Sequence, residues 1–114
     1  MRIYHDADVA TVFGALAEPT RRHVVELLGA GPLRAGELAE ASGTSGPAMS
    51  RHLRLLLDVG IVTDERAAAD ARHRVFRLHP ESMVPLRTWL DELQARWDQQ
   101  LQSFKQHVDG RHPQ

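Results

Sequence analysis

The chain has 114 residues, a formal net charge of −1 and no cysteine. This length suits one domain and is too short for two, and the lack of cysteine excludes disulfides, thiolate metal sites and a cysteine nucleophile. No stretch approaches the ~20 apolar residues that span a bilayer, and the first residues begin no apolar run. We therefore expect no membrane partner and no signal peptide, and we favour a cytoplasmic location.

Positive charge is concentrated in the middle of the chain. Residues 45–77 contain six arginines and four acids and so carry +2, whereas residues 1–44 carry −2 and residues 78–114 carry −1. The planar guanidinium group of arginine suits phosphate groups and the edge of guanine. The basic middle segment therefore makes nucleic acid a candidate partner, and a symmetric dimer would present the segment twice.

The first half of the chain predicts helices. Apolar residues recur at spacings of three and four in the first of these, which indicates a one-sided helix, and we expect Asp8 to cap it. A second helix is expected from Arg21 to Leu28, after Pro19, with Thr20 as its cap. The stripe of the first helix consists of Val9, Val12, Phe13 and Leu16, and the residues expected to be buried in the second are Val24, Val25, Leu27 and Leu28.

Two further helices are predicted around a short turn that contains Gly43. The first spans residues 35–41 and is anchored by Leu38, and the second begins at a Ser45 cap and ends at Gly60. This pattern is typical of a helix-turn-helix, here residues 35–59, whose second helix presents small and polar groups to DNA bases. The alternative is a pair of ordinary core helices with arginines on the surface.

From Ile61 the apolar period changes to two. Residues 61–66 and 73–78 predict an antiparallel hairpin, with Phe76 and Leu78 facing the core. A hairpin directly after a helix-turn-helix is typical of a wing, here residues 61–78, which lays basic side chains against the phosphate backbone or in the minor groove. The alternative is a solvated loop.

The last helix, expected over residues 82–108, has the most regular apolar stripe. A helix of about 25 residues is ~38 Å long, more than a domain of this size needs, and its aromatic residues would leave an exposed apolar patch on a monomer. We therefore expect it to pair with a second copy together with residues 8–17; the alternative is that it only covers the core of one subunit. The predicted dimer residues are Val9, Val12, Phe13, Leu16, Leu86, Trp89, Leu90, Leu93, Trp97, Leu101 and Phe104.

Three segments resemble the ArsR (arsenic-repressor) family of winged helix-turn-helix regulators. They are Ala-Leu-Ala-Glu-Pro-Thr-Arg-Arg at residues 15–22, Gly-Pro-Leu at 31–33 followed by Gly-Glu-Leu-Ala at 36–39, and residues 45–56. The resemblance runs from about Val9 to Leu78, and residues 90–101 are similar to a metal-independent, autoregulatory branch of the family. It implies a homodimer that binds an operator in a promoter and represses transcription until a signal relieves it.

The resemblance also assigns roles to individual residues. Gly46 departs from the family pattern, because many members carry there a longer polar residue that reads a base, and this leaves Arg51 as the candidate for guanine recognition. The wing loop departs as well, since it lacks the usual glycine. The positions that match DNA contacts are Ser45, Gly46, Ser50, Arg51, His52 and Arg54 on the helix and Arg66, Arg72, His73 and Arg74 on the wing.

The function therefore expected is a sequence-specific DNA-binding repressor that acts as a homodimer on an inverted repeat. We expect one winged-helix domain over residues 1–110, a disordered tail over 111–114, no cofactor and no bound metal. The seven histidines show neither an i, i+4 pair nor His-x-His spacing. The alternatives are a metal- or ligand-responsive sensor, whose inducing ligand the sequence does not name, and a protein-interaction module without DNA binding. An enzyme is not expected, because no carboxylate pair, Ser/His/Asp set or phosphate-binding glycine loop is present.

Overall fold

A computed structural model describes residues 8–66 and 74–110 of the chain. The five helices and the hairpin follow one another in the predicted order, a short third strand precedes the third helix, and a 3₁₀ turn at Pro80–Met83 precedes the last helix. This confirms a mainly helical fold with a small β-hairpin and a long C-terminal helix. The elements are α1 (Val9–Leu16), α2 (Pro19–Gly29), β1 (Leu33–Arg34), α3 (Ala35–Ser42), α4 (Gly46–Val59), β2 (Val62–Arg66), β3 (Arg74–Leu78) and α5 (Val84–Gly110).

Side-chain caps define where the helices begin. Asp8 accepts a hydrogen bond from the backbone N–H of Thr11 at 2.9 Å, and Ser45 Oγ accepts one from Ala48 at 3.2 Å, as predicted. The prediction of Thr20 as the cap of α2 was wrong. Glu18 is the cap, because Pro19 occupies the first helical position and the Glu18 carboxylate accepts from the Arg21 N–H at 3.0 Å.

Helix α3 begins without a Ser or Thr cap, at Arg34. The carboxylate of Glu37 accepts a hydrogen bond from the backbone N–H of Arg34 at 3.0 Å, which is the returning half of a capping box. The helix ends at Gly43, whose φ of 61° lies in the left-handed region. The turn of the helix-turn-helix therefore depends on a residue without Cβ.

The sheet has one strand more than the predicted hairpin. β2 and β3 pair antiparallel with Val62 opposite Leu78, and β1 pairs with the other edge of β3 with Leu33 opposite Phe76. The strand order is therefore β1-β3-β2. This added strand ties the start of α3 to the wing, and so fixes the helix-turn-helix and the wing relative to each other.

One apolar core joins α1–α4 to the sheet. Leu38 of α3 and the α4 stripe of Met49, Leu53 and Leu56 are buried together, as predicted, and Phe76 is the buried residue of β3. Val25 and Leu27, predicted to be buried, are only partly so. The remaining core residues are Val12, Ala15, Val24, Leu28, Ala39, Ile61 and Val62.

Helix α5 extends far beyond this core. It has 27 residues and none of them is buried, although its first turns pack on α1, where Trp89 meets Phe13 edge to face at 5.2 Å between ring centroids. The molecule is accordingly elongated, with principal dimensions of 77 × 33 × 21 Å. In the described part of the chain, no helix combines the length and apolarity needed to cross a membrane.

Replacing Gly43 with alanine should lower the free energy of unfolding by about 1 kcal/mol, because an L-residue is strained in the left-handed region. A Cβ at this position would meet no atom within 4 Å, so the cost is conformational and not steric. Urea unfolding at fixed protein concentration measures it. Gly29→Ala, on α2 and equally free of contacts, is the matched control and should be neutral or slightly stabilising; an equal loss in both variants would contradict this account.

Candidate nucleic-acid interface

The outer face of α4 carries the predicted base-contacting residues near its N-terminus. Ser45, Gly46, Ser50, Arg51 and Arg54 are all exposed. Pro47 has no N–H and Ser45 Oγ accepts the N–H of Ala48, so the N–H of Gly46 is the first-turn donor left for a phosphate. This end of α4 thus has the size and polarity needed to approach DNA.

A groove runs between this face of α4, the start of α3 and strand β3. Its volume is about 820 Å³. Ser50, Arg51 and Arg54 line it from α4, and Arg74 lines it from β3. The other lining residues are Ala35, Gly36, Leu53, Leu57, Asp58 and Phe76. The fold therefore brings three of the predicted arginines to one concave surface, although Arg74 lies 20 positions beyond Arg54 in the chain.

The arginines of this groove differ in what they already contact. Within the described residues, Arg51 and Arg54 form no hydrogen bond or ion pair. Arg74 donates to the Asp64 carboxylate and lies over the Phe76 ring, 5.1 Å from its centroid, so its charge is partly neutralised within the wing. The two arginines of α4 are therefore the ones free to pair with phosphates or bases.

The other arginine of β3, Arg77, also has a partner within the wing. Arg77 Nη2 lies 3.3 Å from Glu65 Oε2 on the neighbouring strand. The predicted contacts Arg72 and His73, and the side chain of Arg66, lie outside the described part of the structure. The wing thus contributes Arg74 as its one described candidate for a DNA contact.

His52 does not join the exposed arginines. Its side chain is only 21% exposed and points toward the start of α2, where Nδ1 lies 3.7 Å from Glu18 Oε2 and 3.4 Å from Arg21 Nη1. One residue further along a helix turns the side chain by about 100°, so Arg51 and His52 leave α4 in different directions. We therefore remove His52 from the set of proposed DNA contacts.

The predicted dimer residues fall into three groups. Trp97, Leu101 and Phe104 are exposed by 59%, 63% and 67%, and Phe13 and Leu90 are also exposed. Val12 is completely buried in the core of the single chain, so its inclusion was a mistake: it has no surface to offer a partner. Partly buried residues make up the rest of the set, namely Val9, Leu16, Leu86, Trp89 and Leu93.

Four further residues, not predicted from the sequence, lie on the exposed side of α5 or beside His52. Val84 and Val108 are exposed apolar residues of α5; Val108 continues the apolar stripe and could have been included on that ground. Arg21 and Glu18 contact His52 from another helix. No local pattern indicates this contact, since it joins residues 31 and 34 positions apart.

The residues described include no group of three or more His, Asp or Glu side chains placed to hold a metal ion. His23, His52 and His79 each lie near a glutamate, with nitrogen–oxygen distances of 3.7–4.0 Å. A zinc site needs three or four ligands, and among the described residues none of these histidines belongs to such a group.

Comparison with known proteins finds helix-turn-helix proteins that regulate transcription. A helix-turn-helix domain family matches residues 16–65. The HTH-type transcriptional regulator Rv2034 of Mycobacterium tuberculosis is 39% identical over 110 residues, which cover 96% of this chain and 95% of Rv2034. The transcriptional repressor SdpR of Bacillus subtilis is 40% identical over 55 residues, 48% of this chain and 61% of SdpR.

Solved structures of transcriptional regulators superpose on this chain. The crystal structure of the ArsR family transcriptional regulator RHA00566 superposes with a TM-score of 0.69 at 31% identity, over 79% of this chain and 96% of the other. The homodimeric winged helix-turn-helix DNA-binding domain Mb0332 of Mycobacterium bovis superposes with a TM-score of 0.59 at 25% identity, over 76% and 78% of the two chains. The chain therefore belongs to the ArsR family of winged helix-turn-helix transcriptional regulators.

Proposed function

We propose that this protein represses transcription by binding, as a two-fold dimer, to an inverted-repeat operator that overlaps a promoter, including its own. The observation that carries the proposal is the pair Arg51 and Arg54, which are exposed on α4, lack partners among the described residues and line a groove beside the wing. An arginine in this position can pair with guanine O6 and N7 or with a phosphate. Occupation of a promoter by the dimer would exclude polymerase.

The proposed dimer surface consists of the exposed apolar side of α5 and the adjoining part of α1. Leu90, Trp97, Leu101 and Phe104 follow one another at spacings of seven, four and three, which places them on one side of the helix. Exposed together on a monomer they would form an unusually large apolar patch. The homodimeric state of Mb0332 supports a two-fold arrangement, in which two copies of α4 reach successive major grooves.

The net charge of −1 is compatible with DNA binding because the charge is unevenly placed. Each protomer contributes Arg51, Arg54 and Arg74 to one groove, together with a single described acid, Asp58. The acids of α5, in contrast, do not line the groove. We propose that the protein acts in the cytoplasm as a single domain, with residues 35–59 and 61–78 on the DNA and residues 8–17 and 82–108 in the dimer.

Fluorescence titration of the protein against duplexes from its own upstream region, over a salt series, tests this function. For a dimer that contacts about six phosphates, affinity should fall by ~10³ between 50 and 200 mM salt. An inverted-repeat duplex should compete far better than random duplex. A protein-interaction module would show no salt-dependent DNA affinity, and that result would refute the proposal.

Replacing Arg51 with alanine should reduce discrimination between the operator and a single-base variant about tenfold, because a paired guanine contact contributes 1–3 kcal/mol of discrimination. Affinity for random duplex should change far less. Titrations with the operator and with guanine-substituted duplexes measure the difference. Uniform weakening on all duplexes would instead show that Arg51 binds a phosphate.

Replacing Arg54 with alanine should weaken binding to operator and random duplex alike and lower the salt slope by about one for each protomer bound. Arg74→Ala should have a smaller effect, because the Asp64 carboxylate already compensates the Arg74 charge. Salt-dependent titrations of the two variants side by side make the comparison. A larger loss with Arg74→Ala would show that the Asp64 pair opens on DNA and that the wing dominates phosphate binding.

A further inference from the structure

Arg21 lies in the first turn of α2, and its side chain reaches the end of α1. Its Nε donates to the Ala15 carbonyl at 2.7 Å and its Nη2 to the Gly14 carbonyl at 3.4 Å. Both carbonyls belong to the last turn of α1, where no intrahelical N–H is available to them. The positive guanidinium also lies at the negative end of the α1 dipole. Arg21 therefore caps α1 from the following helix.

The same guanidinium also reaches α4. Its Nη1 lies 3.4 Å from His52 Nδ1, and the Glu18 carboxylate lies 3.7 Å from that nitrogen. Glu18 is held in place in turn, because it accepts the backbone N–H of Arg21 at 3.0 Å. We call these three side chains, Glu18, Arg21 and His52, the Arg21 cluster. It joins the end of α1, the start of α2 and the middle of α4.

The Arg21 cluster connects two surfaces to which the proposed function assigns different tasks. Phe13, the residue before Gly14, is exposed on α1 and packs on Trp89 of α5, within the proposed dimer surface. His52 is the residue after Arg51, the candidate for base recognition. A single arginine thus makes polar contacts with the helix that faces the partner and with the helix that faces DNA.

We infer that Arg21 is a positioning residue for operator recognition, fixing the orientation of α4 relative to α1 and hence the separation of the two α4 helices in the dimer. This inference rests on the proposed function. The core alone leaves some freedom, because apolar contacts are not directional, whereas hydrogen bonds from one planar guanidinium to two carbonyls and a ring nitrogen are. Operators match the spacing of the protein's two DNA-reading helices, so loss of Arg21 should relax the preference for one half-site spacing.

The test compares Arg21→Ala with Arg22→Ala, a matched control in which the neighbouring exposed arginine of α2 is removed. Three duplexes are titrated: a site that the wild-type protein selects from a random library, the same site with one base pair added between the half-sites, and random duplex. Arg21→Ala should bind the selected site about tenfold more weakly, within the range expected for residues that couple two sites. It should bind random duplex within about twofold of wild type and distinguish the two spacings less well. Arg22→Ala should match the wild type throughout.

A double-mutant cycle with His52→Ala shows whether Arg21 acts through α4. The two substitutions should be non-additive on operator affinity, since both remove the same contact. Arg21→Lys keeps the charge but not the three directed hydrogen bonds and should restore the affinity only in part. If Arg21→Ala does not fold, the same duplexes are titrated with Arg21→Lys and His52→Ala instead. Sedimentation checks that each of these variants is still a dimer.

Three results would overturn the inference. Equal weakening on all duplexes with a shallower salt slope would make Arg21 a phosphate contact. Additive effects of Arg21→Ala and His52→Ala on operator affinity would show that the two residues do not act through a shared contact. If a folded Arg21→Ala variant keeps the wild-type preference for one half-site spacing, Arg21 acts only as a helix cap. Failure of the wild-type protein to select any duplex would refute the proposed function itself, and is recognised before any variant is made.

Discussion

Leu101→Glu is expected to give a folded monomer that has lost operator binding. Leu101 is 63% exposed in the protomer and α5 contains no buried residue, so the substitution removes nothing from the core. In the proposed dimer it would place two carboxylates in an apolar interface, at a cost of several kcal/mol. We expect the dimer dissociation constant to rise by at least ~10³-fold, and a monomer retains only one half-site contact, so operator affinity should fall by ~10² or more.

Sedimentation equilibrium and operator titration of the same samples measure the two effects together. Gln99→Glu is the matched control: it adds the same charge to the same helix, two residues away and near the opposite side. It should remain dimeric and bind the operator normally. A dimeric Leu101→Glu protein would show that the distal half of α5 is not the dimer surface. A monomeric Gln99→Glu protein would show that the wrong side of α5 has been assigned.

Local sequence signals predict most of this fold because the residues that begin and end its elements act locally. Asp8 and Ser45 cap helices through hydrogen bonds three residues ahead, and Gly43 and Gly60 end helices because their positive φ excludes most other residues. Strand β1 is different. It has two residues, too few to show a period, and its partner Phe76 lies 43 positions away from Leu33, so only the folded sheet reveals it.

The elements that carry the candidate site residues were predictable, but the environment of each side chain was not. The resemblance placed Arg74 on DNA, yet the strand register puts it diagonally across from Asp64, since Asp64 is opposite Phe76. The resemblance also placed His52 on DNA, but the packing of α4 on α2 turns its side chain inward. Val12 fits the apolar stripe of α1, but a stripe does not tell whether its own core or a partner covers it.

Leu53→Ala is expected to lower the free energy of unfolding by about 3 kcal/mol, a large part of the 5–15 kcal/mol typical of a domain. Leu53 lies on the inner face of α4 and is 2% exposed, within the core cluster that includes Leu38. Alanine would leave a cavity at the crossing of α3 and α4, where close packing leaves little freedom to collapse. Urea unfolding at fixed protomer concentration measures the change, with the midpoint lowered and the slope unaltered.

Leu55→Ala is the control within the same helix, because Leu55 is 36% exposed and lies on the outer side of α4. The same atoms are deleted and the helix propensity changes equally, so the difference between the two variants isolates burial. We expect Leu55→Ala to cost well under 1 kcal/mol. Similar losses in the two variants would mean that α4 is rotated from the orientation described. The arginine-lined groove depends on that orientation, because burial of Leu53 is what turns Arg51 and Arg54 toward solvent.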